Sequence, residues 1–96
     1  MSENERIKNI VSPIAQSYGV KRVFLFGSRV KGQETENSDY DFLISKGKIN
    51  SLFRYISFIN SLEDAFGTHV DVVTDTSSDQ DFINEIRKEA VLIYEQ

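Results

Sequence analysis

Cysteine is absent from the chain, which excludes disulfides and thiolate metal sites. Basic residues are also scarce: 11 Lys and Arg stand against 15 Asp and Glu, a net charge of −4. Proteins that grip a phosphate backbone usually carry a basic surplus, so nucleic acid is not expected as a partner. No apolar run approaches the ~20 residues that a bilayer span needs, and no membrane partner is expected. The opening stretch MSENERIK is polar and charged, unlike a signal peptide. Together these absences point to a soluble cytoplasmic domain. Proline occurs once, at position 13, and histidine once, at position 69.

What is present suffices for one domain spanning residues 1–96. The hydrophobic fraction is 40 % and there are seven phenylalanines, enough for a core. Ile7, Ile10, Val11, Ile14, Ala15 and Tyr18 recur at helical spacing and predict a helix over residues 4–18, ended by Gly19. Pro13 lies inside that stripe and removes the amide that would bond to the Asn9 carbonyl. It either bends one helix or, with Ser12 as a cap, starts a second. The stripe keeps its phase through Pro13, which favours one bent helix.

Val20–Phe26 reads as a strand and residues 28–32 as a turn of helix, followed by a polar loop, QETENS. Strands are predicted over 40–45 and 70–74, and helices over 49–66 and 82–88. Residues 91–94 either continue the last helix or form a short extended tail. This order of elements predicts an α/β fold, a small mixed sheet with helices packed on it.

The chemistry concentrates in GSRVKGQETENSDYDFLI, residues 27–44. Strand residues two apart share a face, so Asp39 and Asp41 point one way and Tyr40, Phe42 and Ile44 the other. Paired carboxylates repel unless a cation or proton sits between them. Oxygen ligands without His or Cys favour Mg²⁺ or Mn²⁺ over zinc. A further acid, Asp71, interrupts the apolar run HVDVVT. If the strands carrying Asp41 and Asp71 are neighbours, three carboxylates converge and balance two divalent cations, as in two-metal phosphoryl chemistry.

Gly27 permits a tight turn close to a ligand, and Ser28 adds a hydroxyl donor at a place suited to phosphate. Gly27 and Gly32 have the spacing of a Walker loop. Gln33-Glu34 follows where Lys-Ser/Thr is required, so that reading fails, and no G-x-G-x-x-G is present.

These residues resemble the signature of the polymerase-β-type nucleotidyltransferase superfamily: Gly-Ser, a spacer, then Asp-x-Asp on a strand. The match is closest to the minimal nucleotidyltransferases, stand-alone domains of about this length. FGTHVDVVT is similar to the family's third-carboxylate strand and IRKEAVLIYE to its tail. The resemblance implies a polymerase-β-like nucleotidyltransferase fold, with Gly27 and Ser28 holding the triphosphate of ATP. Asp39 and Asp41 would bind two Mg²⁺ ions, and Asp71 would complete the one that activates the attacking hydroxyl. Arg29 and Lys31 are candidates for secondary phosphate contacts, with solvated surface charge as the alternative. Val30 and Lys31 replace the Ala and Arg common in the family, and Lys31 keeps the charge without the bidentate geometry.

The resemblance also implies a partner. Minimal nucleotidyltransferases commonly pair with a helical HEPN-domain toxin. There they act as antitoxin, by transferring AMP to a tyrosine of the toxin or by binding it directly. A small-molecule or RNA-end acceptor is the third possibility. On the helix over 49–66, Leu52, Phe53, Ile56, Ile59, Leu62 and Phe66 are expected to face the core. That surface exceeds the roughly 100° a sheet-covering helix needs, which would leave Tyr55 and Phe58 either for a partner or under neighbouring helices. His69 is expected beside Asp71, either tuning it or as a polar strand-end residue. Glu34, Glu36 and Asn37 are expected to be solvated in a loop that is mobile without nucleotide.

Overall fold

The computed structural model describes residues 2–32 and 39–96, so the expectations for Glu34, Glu36 and Asn37 lie outside the described residues. The elements run α1 (Glu3–Tyr18), β1 (Arg22–Phe26), α2 (Ser28–Lys31), β2 (Tyr40–Ser45), α3 (Leu52–Phe66), β3 (Val70–Thr74), α4 (Gln80–Glu89) and β4 (Val91–Glu95). The sheet is mixed, with strand order β3-β2-β1-β4. β1 pairs antiparallel with β2 and β4, while β2 and β3 run parallel. The parallel pair needs a crossover, and α3 supplies it.

α1 is continuous through Pro13. Ser2 caps its start by accepting from the Glu5 amide, and Gly19 ends it in the left-handed region. Within it the Ser12 hydroxyl donates to the Lys8 carbonyl at 2.7 Å, a local bond across the turn where proline interrupts the ladder. Ile7, Val11 and Ala15 are buried, as the stripe predicted.

α1 and α3 cover one face of the sheet. Val23 and Leu25 of β1, and Tyr40, Phe42 and Ile44 of β2, bury against them. α4 covers part of the other face, where Ile83 and Ile86 pack on Leu43, Phe24, Phe26 and Val73. β2 is central and buried on both faces over most of its length, which its run of large apolar residues allows.

Two expectations need correction. α3 starts at Leu52, three residues later than predicted, because Ser51 caps it by accepting from the Arg54 amide at 3.2 Å. Its core face is Tyr55, Phe58, Leu62 and Phe66, while Leu52, Phe53 and Ile56 are exposed. Phe58 is fully buried, with its ring 5.6 Å from that of Tyr18, and the Tyr55 hydroxyl donates to the Val72 carbonyl at 2.8 Å. The helix is apolar on more than one side, so periodicity alone did not fix which stripe faces inward. The open choice over residues 91–94 is settled by β1, which takes them as an antiparallel edge strand.

Candidate active site

The start of β2, the start of β3 and the end of β1 lie side by side. In register, Asp41 faces Asp71 on one side and Phe26 on the other. Phe26 belongs to the α4-side cluster, so Asp41 and Asp71 point to the α4 face. The structure thus meets the condition set by the sequence: β2 and β3 are neighbours and Asp71 joins the first pair. Asp39, just before β2, brings a carboxylate oxygen to within 4.8 Å of ligand atoms of Asp71 and His69, the one such group among the described residues.

The electrostatics bear the mark of this crowding. Burial, then the charge and hydrogen bond of Asp71, then the charge of Asp39, push the Asp41 carboxyl up to about 6. A group in that position holds a proton or a cation more readily than an ordinary surface acid. A divalent cation fits this donor set, because it supplies the positive charge that the carboxylates lack.

His69 is closer to the centre than the oxygen-only donor set assumed. Its Nε2 lies 2.8 Å from Asp71 Oδ1 and its Nδ1 2.9 Å from Glu63 Oε2. Facing carboxylates through both nitrogens raises its pKa, with the Asp71 hydrogen bond as the largest cause. The two contacts hold the ring beside Asp71 and orient that carboxylate. Oxygen remains the dominant donor, in keeping with Mg²⁺ or Mn²⁺.

Glu63 was not singled out in the sequence. It sits in the last turn of α3, where Gly67 reverses the chain, and it also accepts from the Val70 amide at 3.1 Å. The sharp return at Gly67 is the signal that could have placed it near His69.

Gly27 supplies the other wall. Its backbone (φ 82°, ψ −153°) is a conformation open in practice to glycine alone, and a Cβ there would run into the Asp41 carboxylate. Its carbonyl accepts from the Val30 and Lys31 amides, which winds α2 into a single turn beginning at Ser28. The turn at Gly27 therefore adjoins the Asp41 carboxylate.

Arg29 and Lys31 both make contacts within the protein. The Arg29 guanidinium lies 3.7 Å from the Tyr40 ring centroid and 3.3 Å from Glu3 Oε1. The other side of Tyr40 meets Phe66, with centroids 4.2 Å apart, and Arg6 donates to its hydroxyl at 2.6 Å. Tyr40 is the residue between the two aspartates, so Arg29 fastens the Gly27-Ser28 turn to the Asp39-Asp41 strand from behind. Lys31 pairs with Glu89 of α4 at 3.2 Å.

A family model described as polymerase beta, nucleotidyltransferase, matches residues 6–96. The chain belongs to that family. It is a nucleotidyltransferase. It is similar to the provisionally named protein adenylyltransferase MJ0435 of Methanocaldococcus jannaschii, with 37 % identity over 95 % of this chain and 97 % of the relative. It is also similar to protein adenylyltransferase MntA of Thermococcus cleftensis, with 30 % identity over 93 % and 94 %. The fold recurs in a solved complex of a tri-AMPylated Shewanella oneidensis HEPN toxin with its MNT antitoxin. There the TM-score is 0.74 at 14 % identity, covering 97 % of this chain and 73 % of that one.

Proposed function

We propose that this chain is the antitoxin of a HEPN-type toxin and transfers AMP from Mg²⁺-bound ATP to a tyrosine hydroxyl of that partner. The observation that carries the reading is that Asp71 gathers with Asp39 and His69 and pairs in register with Asp41, whose carboxylate borders the Gly27 turn. The relatives named as protein adenylyltransferases support the choice of acceptor class.

In this reading Asp39, Asp41 and Asp71 would hold the divalent ions, which would supply positive charge to offset that of the triphosphate and of the leaving pyrophosphate. The protein's own part is positioning. Gly27 and Ser28 seat the triphosphate, His69 and Glu63 fix the Asp71 carboxylate, and Arg29 with Tyr40 fixes the distance between turn and strand. The acceptor oxygen forms its bond to the α-phosphorus as the bond to the bridging oxygen of pyrophosphate breaks. In-line displacement of this type needs little covalent help from the enzyme.

Label transfer tests the proposal. Wild-type chain incubated with α-labelled ATP, Mg²⁺ and a partner HEPN-domain toxin should label that protein. The Asp39→Asn, Asp41→Asn double variant should not, and persistent labelling would show that these carboxylates do not hold the metal.

A second reading, neutralisation by direct binding, draws on the exposed ridge of Leu52, Phe53 and Ile56. That ridge lies near Lys46 and Thr74, at the opposite end of β2 from the aspartates. A growth assay separates the two. Binding alone predicts that the double Asn variant still protects cells from the toxin, and catalysis predicts that it does not.

A further inference from the structure

His69 sits just before β3, and its side chain is 58 % exposed. A polar residue at an exposed strand end can leave its polar atoms to water. This ring does not: Nε2 lies 2.8 Å from Asp71 Oδ1 and Nδ1 lies 2.9 Å from Glu63 Oε2. Glu63 is itself held by the Val70 amide at 3.1 Å. The ring is thus anchored to α3 through the nitrogen that does not face Asp71.

We propose that His69 is a nitrogen ligand of the cation held with Asp39 and Asp71, and that it tilts the centre toward a first-row transition ion such as Mn²⁺ over Mg²⁺. The inference rests on the nucleotidyl-transfer reading and adds which ion that site selects. Without a cation the ring bonds to Asp71 directly; with one, the two side chains share the ion.

A carboxylate only accepts, so the Glu63 contact keeps a proton on Nδ1. The lone pair free to bind a metal is then the one on Nε2, on the Asp71 side of the ring. A divalent ion bound there displaces the proton that the Nε2 contact otherwise shares with Asp71. A carboxylate behind the far nitrogen is the arrangement that fixes the ring and strengthens the donor in metal-bound histidines.

The spacing suits an ion too. Two ligands at right angles about an ion, each about 2.1 Å from it, are about 3.0 Å apart. The 2.8 Å between Nε2 and Oδ1 is close to that. Asp39 extends the set, since ligand atoms of the three residues lie within 4.8 Å of one another. All three are exposed, which leaves the remaining coordination positions to water and to substrate oxygens. The choice of ion follows from the nitrogen. Mg²⁺ takes oxygen ligands and gives up water reluctantly, whereas first-row transition ions bind imidazole readily. Because oxygen still outnumbers nitrogen in the set, Mn²⁺ is the member of that class that fits it best.

The test uses the untagged full chain with Mn²⁺ and tripolyphosphate, a nitrogen-free substitute for the nucleotide. His69 is the only histidine, so growth on ¹⁵N-histidine labels this ring alone among the imidazoles. The electron spin-echo modulation of bound Mn²⁺ should show a directly coordinated nitrogen, and its pattern should change from ¹⁴N to ¹⁵N on labelling. In calorimetry, His69→Ala should weaken Mn²⁺ binding about tenfold and Mg²⁺ binding less than about threefold.

Bound Mn²⁺ without the histidine coupling would overturn the proposal, whatever the variant does. Equal weakening of both ions in His69→Ala would also overturn it, by leaving the ring as a support of Asp71 alone. So would unchanged binding of both. A wild-type chain that binds neither ion would remove the metal reading beneath it.

Discussion

Asp41 is the residue under greatest tension. Its carboxyl is raised from 3.8 to about 6 in the fold, so the folded state binds more protons than the unfolded state between those values. Stability therefore falls as pH rises from about 4 to 6, and the penalty is fully present above that window. Asp41→Asn should raise the cation-free unfolding free energy at pH 7.5 by about 1 kcal/mol, a figure discounted for solvent screening at a half-exposed site. The same substitution should do almost nothing at pH 4. His69 adds to the same trend in a higher window: its raised pKa stabilises the fold below about 6.5 and that contribution fades as pH climbs through the folded value. Comparing Asp41→Asn with wild type at each pH in urea melts isolates the aspartate. Mg²⁺ should raise the wild-type Tm more at pH 7.5 than at pH 5, and should not raise that of the variant. At the neighbouring position, Gly27→Ala places a Cβ against Asp41 at positive φ. It should cost at least about 1 kcal/mol and abolish transfer.

Among the elements, Arg29 has a role that its sequence position hides. Following Gly-Ser, it reads as a phosphate contact, yet the fold stacks it on Tyr40 and pairs it with Glu3. One side chain thereby links α1, α2 and β2. Arg29→Ala and Tyr40→Leu should each destabilise, and their double-mutant cycle should give a coupling of about 1 kcal/mol. Additive effects would mean that the stack is incidental.

What the sequence disclosed at this scale follows from the range of the interactions. Strand alternation put Asp39 and Asp41 on one face, and a single acid in HVDVVT marked Asp71, because both signals are local. The role of residues 91–94 stayed open because β4 exists only through pairing with β1, about seventy positions earlier in the chain. Glu63 escaped notice for a similar reason, since its partners lie across the Gly67 turn. The inward face of α3 was misassigned because Leu52, Phe53 and Ile56 are as apolar as the residues that are buried. Ile93, buried on the edge strand, measures how far β4 belongs to the core. Ile93→Ala should cost about 2–4 kcal/mol in urea unfolding; a cost below about 0.5 kcal/mol would make the strand a loosely held tail.

At the scale of the whole molecule, the sheet divides the labour. One face is filled by α1 and α3 and supplies most of the buried core. The other carries a small cluster under α4 and leaves the ends of β1, β2 and β3 open for chemistry. The parallel β2–β3 pair, made possible by the α3 crossover, sets Asp71 beside Asp41, and the antiparallel β1–β2 pair sets Gly27 beyond it. The placement of Asp41, Asp71 and Gly27 is thus a consequence of strand order and register.

That register is tested most directly by Mn²⁺ binding, followed by electron paramagnetic resonance in the presence of a non-hydrolysable ATP analogue. Wild-type chain should bind the ion, and Mg²⁺ should displace it. Asp39→Asn, Asp41→Asn and Asp71→Asn should each weaken binding about tenfold or more, in variants whose melting curves show an intact fold. Undiminished binding in Asp71→Asn would contradict the three-carboxylate centre, since it would leave β3 with no part in holding the cation.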